Sequence, residues 1–205
     1  QNFNHLKIHT QYSICEGAVK IDDLQDFSKL NKIKSLALCD TSNLCGALEF
    51  AEKISKVGTQ PIIGTQINFK FGDTVGLLPL FALNEKGYKR IIKLSSLSFL
   101  ENDELSDPHV DFKSLLENNE GVAVFSGTIF GLFGELFNKG KFSEIHDLYK
   151  KLNSIFDDRF YIEIQRHNDQ NELGFEKFNL KKSFELNIPI IATNEVFYIN
   201  QDMYE

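Results

Sequence analysis

Phe3-Asn-His-Leu-Lys-Ile-His-Thr-Gln-Tyr-Ser-Ile-Cys-Glu-Gly17 is the stretch whose reading decides the fold. His5, Lys7 and His9 alternate with Leu6 and Ile8. A period of two predicts a strand with one row of side chains on each face. Thr10, Gln11, Ser13, Glu16 and Gly17 follow at once. A strand that runs into ionisable residues and then turns at a glycine is where α/β proteins commonly place chemistry. Taken alone, the stretch reads better as an edge strand with solvated polar residues. The later strands decide between the two readings, because they end in the same way.

Working outward, Ile21, Leu24, Phe27 and Leu30 recur at helical spacing, with Asp22 and Asp23 near the start where the helix dipole favours acids. Leu36-Ala-Leu-Cys39 reads as a short buried strand ending at Asp40-Thr-Ser-Asn43. Leu44, Leu48, Ala51 and Ile54 make a second amphipathic helix, closed by Gly58. Pro61-Ile-Ile-Gly-Thr-Gln-Ile-Asn-Phe69 is a third strand and residues 77–83 a fourth, followed by a helix over 85–97. Residues 101–109 form a polar loop, and Phe112, Leu115 and Leu116 begin a short helix. Gly121-Val-Ala-Val-Phe125 is a fifth strand, ending at Ser126-Gly127, with helices over 129–137 and 142–156 after it. Arg159-Phe-Tyr-Ile-Glu-Ile-Gln165 is a sixth strand and carries Arg166-His167 at its end. A helix over 173–186 leads to a seventh, Ile188-Pro-Ile-Ile-Ala192, which ends at Thr193-Asn-Glu195.

Seven short strands alternating with helices predict an α/β fold with a parallel sheet, closed into a barrel or doubly wound. His9, Glu16, Asp40, Gln66, Ser126, His167, Asn194 and Glu195 all follow strands. In a parallel barrel the strand C-termini share one face, so these residues are expected to converge. Turns are polar in any protein, but imidazoles and carboxylates at so many successive strand ends exceed what turn chemistry needs.

The chain has 205 residues, which suits one domain or one large piece of a bigger barrel. Hydrophobic residues make up 42%, with 19 Phe and no Trp, enough for a sizeable phenylalanine-rich core. A net charge of −7 argues against nucleic-acid binding by bulk charge, which needs a Lys/Arg surface. Cys15, Cys39 and Cys45 lack CxxC spacing and read as reduced, buried thiols of a cytoplasmic protein. No apolar run reaches membrane-spanning length and no signal peptide opens the chain. The absent start Met and the abrupt end at Met203-Tyr-Glu205 are read as signs of an excised fragment.

The pattern His5-Leu-Lys-Ile-His-Thr-Gln-Tyr-Ser…Glu16-Gly resembles the opening motif of the PHP (polymerase and histidinol phosphatase) domain, in the form found at the N-terminus of bacterial DNA polymerase III alpha subunits. Further matches are Leu36-Ala-Leu-Cys-Asp-Thr-Ser-Asn-Leu-Cys-Gly46, Pro61-Ile-Ile-Gly64, Asn84-Glu-Lys-Gly-Tyr88, Phe160-Tyr-Ile-Glu-Ile-Gln-Arg-His167 and Ile188-Pro-Ile-Ile-Ala-Thr-Asn-Glu-Val-Phe-Tyr198. Their order and spacing, through nearly all of the chain, carry the resemblance more than any single motif. It implies one PHP domain over residues 1–205, a distorted seven-stranded (β/α) barrel open to truncation at its C-terminal end. It also implies a replicative DNA-directed DNA polymerase, a nucleotidyltransferase, as parent. The parent's polymerase domain, with its Mg, is expected outside this stretch.

Active members of the family hold up to three metal ions at the barrel mouth and hydrolyse phosphate esters with metal-activated water. Residue by residue, the resemblance aligns His9 with the second His of His-x-His, Asp40 with the second-strand Asp and His167 with the His after strand six. Glu16 and Glu195 stand where the family usually has Asp. Lys7 stands for the first His, Thr41 for a His, Gln66 for an acidic ligand, Leu77 for a His and Phe197 for another, while Thr128 stands where many members have Cys. A Lys ammonium has three donors and no lone pair, and Leu and Phe have no donor atoms for a metal. The resemblance therefore implies a remnant site of Lys7, His9, Glu16, Asp40, His167 and Glu195, with no catalytic residue, and at most one weakly held divalent ion through His9, Asp40 and Glu195. Lys7 is expected to supply the missing positive charge to Asp40, Glu16 or Glu195 as a buried ion-pair network.

The expected role is a catalytically degenerate structural and docking domain. Its expected partners are the proofreading exonuclease subunit and the rest of the alpha subunit, with DNA met through the full-length protein and no membrane. The enzyme alternative is an active metal-dependent phosphoesterase, either a 3′–5′ exonuclease or a pyrophosphatase. Asn84-Glu-Lys-Gly-Tyr88 argues against a free-standing histidinol-phosphate-type phosphatase. Among single residues, His5 reads as packing or function equally, and His109 and His146 as solvated. Gly17 and Gly46 read as turn or close-packing glycines, and the Phe-rich run 125–137 as core.

Overall fold

A computed structural model describes residues 3–100, 102, 106–167 and 170–199. In chain order the elements are β1 (Lys7–Ile8), α1 (Ile21–Asn31), β2 (Ser35–Thr41), α2 (Ala47–Lys56), β3 (Gln60–Phe71), β4 (Thr74–Ala82) and α3 (Glu85–Leu100). Then come β5 (Val110–Asp111), α4 (Phe112–Glu117), β6 (Val122–Phe125), α5 (Leu132–Asn138), α6 (Phe142–Phe156), β7 (Phe160–Ile164), α7 (Glu172–Leu186), β8 (Ile190–Ala192) and β9 (Glu195–Val196). The fold is α/β. The described residues form two compact units, one within 3–66 and 193–199 and one within 67–192.

The first unit is built on β2. Leu36, Ala37, Leu38 and Cys39 are all buried, the mark of a strand covered on both faces. β1 pairs β2 in parallel at Ile8↔Leu38, and β2 pairs β3 in parallel from Ser35↔Gln60 to Thr41↔Gln66. On the other side of β1, β9 is parallel too, with Lys7↔Glu195 and Ile8↔Val196. Four strands running one way put the residues after β1, β2 and β9 on one edge. Two backbone bonds extend the β1–β9 ladder: His9 N donates to Val196 O at 2.9 Å and Ala18 N to Phe197 O at 2.8 Å. α1 and α2 pack on each other. Their apolar faces differ from the sequence reading. Leu30 and Leu48 are exposed, while Ser28 in α1 and Ala47, Phe50 and Ile54 in α2 are buried. α2 starts at Ala47 rather than Leu44, and the stripe 47/50/54 keeps the large Phe50 ring inside, worth about 2 kcal/mol of burial.

In the second unit β4 pairs β6 antiparallel, β6 pairs β7 and β7 pairs β8 in parallel, and β5 lies parallel to the C-terminal half of β3 at Phe69↔Val110. The wholly parallel sheet expected from the sequence is corrected here. β3 and β4 are sheet neighbours joined through Gly72 and Asp73, a link too short for a crossover helix. Gly72 takes φ +60, the left-handed region the turn needs. Aromatic side chains fill the core: Phe133 and Phe160 both meet Tyr149 edge-on, at 4.7 and 5.5 Å. The Phe-rich run is core at Phe125 and Phe133, while Phe130 is exposed.

β5 and β9 are additional to the seven strands expected. Cys39 is buried, but Cys15 and Cys45 are exposed free thiols, which corrects the reading of all three as buried. They lie in the polar connections that follow β1 and β2, where no apolar surface covers them. His146 is half-buried on α6 rather than solvated. The loop reading at positions 101 and 103–105, and the chain end at 200–205, fall outside the described residues.

Candidate functional site

The edge where β1, β2 and β9 end gathers most of the residues singled out from the sequence. Lys7 and Glu195 are direct register partners, so their side chains rise on the same face of the parallel pair. Lys7 Nζ donates to Glu195 Oε1 at 2.5 Å, with the Lys7 side chain buried and Glu195 one-fifth exposed. Glu195 is one of the three carboxylates expected to receive the ammonium, and this contact joins the two.

His9 is fully buried two residues on. Its Nε2 lies 4.0 Å from Glu195 Oε1, beyond hydrogen-bonding reach, and neither ring nitrogen has a hydrogen-bond partner among the described residues. The imidazole stacks on Phe197, with centroids 4.6 Å apart and planes 15° from parallel. Burial pushes its pKa down to about 4; Glu195 acts against this and Lys7 with it. The ring is therefore neutral at ordinary pH.

Asp40 ends β2, wholly buried. Thr10 N donates to its Oδ1 at 2.6 Å, Ser13 Oγ to the same oxygen at 2.8 Å and Thr10 Oγ1 to Oδ2 at 2.8 Å. Burial raises its pKa, and the Thr10 and Ser13 hydrogen bonds oppose the rise. Ser13 Oγ also accepts from Thr41 N at 3.1 Å. Asp40 thus organises the turn at residues 10–13. Gly17 closes that turn against the strand: a Cβ there would lie 2.2 Å from Thr10 O and 2.6 Å from His9 O. This is the close packing expected of it.

Glu16 is exposed and accepts from Thr41 Oγ1 at 2.5 Å, and Gln66 Nε2 donates to that hydroxyl at 2.9 Å. His167 belongs to the second unit. There its backbone N donates to Glu172 Oε2 at 2.8 Å, and its Nδ1 lies 3.1 Å from Glu172 Oε1. Thr10, Ser13 and the Phe197 stack were not found by sequence reasoning. Short hydroxyl side chains carry no spacing signal toward an acid some thirty positions away.

The residues present do not fit the metal cluster held by active members of the family. Both Asp40 oxygens already accept hydrogen bonds, an ammonium sits on Glu195, and an aromatic ring covers His9. Among the described residues no three His, Cys, Asp or Glu side chains are grouped so as to hold an ion.

A family model described as the PHP domain matches residues 5–167. The chain belongs to the PHP domain family. Among curated relatives of this PHP chain, the DNA polymerase III subunit alpha of Caulobacter vibrioides is 33% identical over 213 residues, covering 100% of the chain and 19% of the relative. The subunit of the same name from Rickettsia felis is 36% identical over 204 residues, covering 99% of the chain and 17% of the relative. The chain spans less than a fifth of the length of these relatives. Solved PHP-like structures share the fold. A metal-dependent phosphoesterase, so described, from Bifidobacterium adolescentis has a TM-score of 0.60 at 11% identity over 98% of this chain and 93% of that one. A two-domain protein with a PHP-like phosphoesterase part from Bacteroides vulgatus has a TM-score of 0.61 at 14% identity, covering 95% of this chain and 51% of that one. Among the described residues no helix is long and apolar enough to cross a membrane.

Proposed function

We propose that residues 1–205 form the PHP domain of a replicative DNA polymerase III alpha subunit, a cytoplasmic DNA-directed DNA polymerase, and that this domain is structural and serves as a docking platform rather than as a phosphoesterase. The observation that carries the reading is the 2.5 Å contact of the Lys7 ammonium with Glu195. A fixed cation on the strand pair where the family would hold a metal repels a divalent ion and donates where a ligand must accept. The proposed partners are the rest of the alpha subunit and the proofreading exonuclease subunit, with DNA bound through the full-length protein. The net charge of −7 supports the last point, since phosphate contacts need basic residues.

Calorimetric titration of the purified protein with the exonuclease subunit tests the docking role. A saturable complex is expected, and no heat of binding from two folded partners contradicts it. Micromolar DNA affinity of this domain with a steep salt dependence would contradict the division of labour.

A further inference from the structure

Beside the turn at Gly72, residues of β3, β5, α4 and α6 line a cavity of about 310 Å³. All of them belong to the second unit. The size lies at the lower end of ligand pockets, which run from about 300 to 1,000 Å³. Phe71, Phe112 and Leu148 give it apolar walls, the two rings meeting edge-on with centroids 6.0 Å apart. Lys70, Lys113 and Lys151 also line it, one each from β3, α4 and α6, and all three are exposed. Little negative charge answers them. Asp111 is the one acid of the lining, and its Oδ1 accepts from Lys113 N at 2.7 Å. Asp73, two positions beyond Phe71, is held by Lys141 at 2.7 Å with Lys139 3.8 Å away. Glu117 lies 3.6 Å from Lys113 Nζ, but both side chains are mostly exposed, and such a pair holds little. Among the described residues Lys70 and Lys151 make no ion pair. A chain of net charge −7 thus turns three lysines to one apolar cavity.

We propose that this cavity receives an acidic peptide segment of a partner protein, with an apolar side chain seated against Phe71, Phe112 and Leu148 and flanking carboxylates on the three ammonium groups. Apolar walls with a few convergent polar groups suit a bound ligand: burial supplies affinity, and the charges set orientation and approach. An ammonium on a flexible four-carbon stem can follow carboxylates arriving at varied spacing. Two features favour a peptide over a nucleic-acid strand. Phe112 is buried and Phe71 meets it at 76°, so the two rings do not form an open platform for stacked bases. The negative charge of the whole chain repels a polyphosphate, while a few carboxylates meet chiefly the local lysines.

This rests on the reading of the domain as a docking platform, and the experiment reads the two separately. The probe is a fluorescein-labelled peptide with one Phe between two pairs of Glu, titrated with the purified protein at low salt. Saturable binding with a dissociation constant of about 100 µM or tighter is expected, weakening as salt rises. Lys151→Glu should weaken it by about tenfold and Lys113→Gln by about threefold. Both positions are exposed, so neither change threatens the fold. Lys93→Glu makes the same charge reversal on an exposed position of α3, away from the cavity, and should alter binding by less than about twofold. Replacing the peptide's Phe by Ser removes the seated side chain and should cost about tenfold or more in affinity. No saturable binding, equal losses in Lys151→Glu and Lys93→Glu, or indifference to the loss of the peptide's Phe overturns the proposal. Tighter binding of an oligothymidylate of equal charge overturns it as well. Calorimetry with the exonuclease subunit reads the docking role by itself. A missing complex beside intact peptide binding ends that partner and upholds the cavity, whereas an intact complex beside absent peptide binding overturns the cavity alone.

Discussion

Asp40→Ala should destabilise the protein by about 3 kcal/mol. The Asp40 carboxylate is wholly buried and receives one backbone and two hydroxyl donors at 2.6–2.8 Å. Hydrogen bonds to a charged acceptor contribute about 1.5–3 kcal/mol each, and alanine would leave the three donors without this acceptor in the interior. Against that, burial disfavours the charged form, which is why the Asp40 pKa is raised, so deletion also relieves a desolvation penalty. The hydroxyls of Thr10 and Ser13 can rotate to other acceptors, but the Thr10 N–H cannot. Asp40→Asn keeps the volume and one carbonyl oxygen, so its cost should be roughly 1 kcal/mol. Urea titration gives both values, and a 3 kcal/mol loss corresponds to a fall in melting temperature of about 6–12 °C for a chain of this size. If alanine costs less than about 1 kcal/mol, or asparagine costs as much as alanine, Asp40 does not organise the turn at residues 10–13 as described.

His9 predicts a pH dependence with a definite sign. Its folded-state pKa of about 4 lies below the ordinary 6.5, so the unfolded chain binds the proton first. Stability is full above pH 6.5 and falls by up to about 3 kcal/mol as the pH drops toward 4. His9→Gln should flatten that slope in urea titrations at pH 7.5 and 5, and an unchanged slope would refute the assignment. Asp40 slopes the other way, because a raised carboxyl pKa makes stability fall as pH rises through its window. Gly17→Ala forces a methyl into the Thr10 and His9 carbonyl oxygens and should cost about 2–3 kcal/mol. A neutral result by thermal melting would mean that the turn yields freely.

The strand sequence was legible because buried parallel strands write themselves as short apolar runs, as in Leu36-Ala-Leu-Cys39, followed by polar ends. The β3–β4 hairpin is written only in Gly72-Asp73, a two-residue turn among connections that mostly carry helices. β9 has two residues and no period to detect; its partner β1 defines it. In the site, the residue types at 7, 9, 16, 40 and 195 marked the edge where β1, β2 and β9 end. Which acid takes the Lys7 ammonium depends on the Lys7↔Glu195 register, and pairing between positions 188 residues apart has no local signature. Leu30 and Leu48 face solvent because repeated steps of three drift off one helical face, which puts Leu30 opposite Ile21, and because α2 begins at Ala47 rather than Leu44.

Phosphate-ester hydrolysis by the purified protein tests the central claim most directly. The substrates are single-stranded DNA, a chromogenic phosphate ester and pyrophosphate, each with Mn²⁺, Zn²⁺ or Mg²⁺, beside the shape-conserving Asp40→Asn variant. The account predicts no turnover by the PHP domain above background with any metal, in either protein. Metal-dependent turnover that Asp40→Asn abolishes while leaving the protein folded would contradict it.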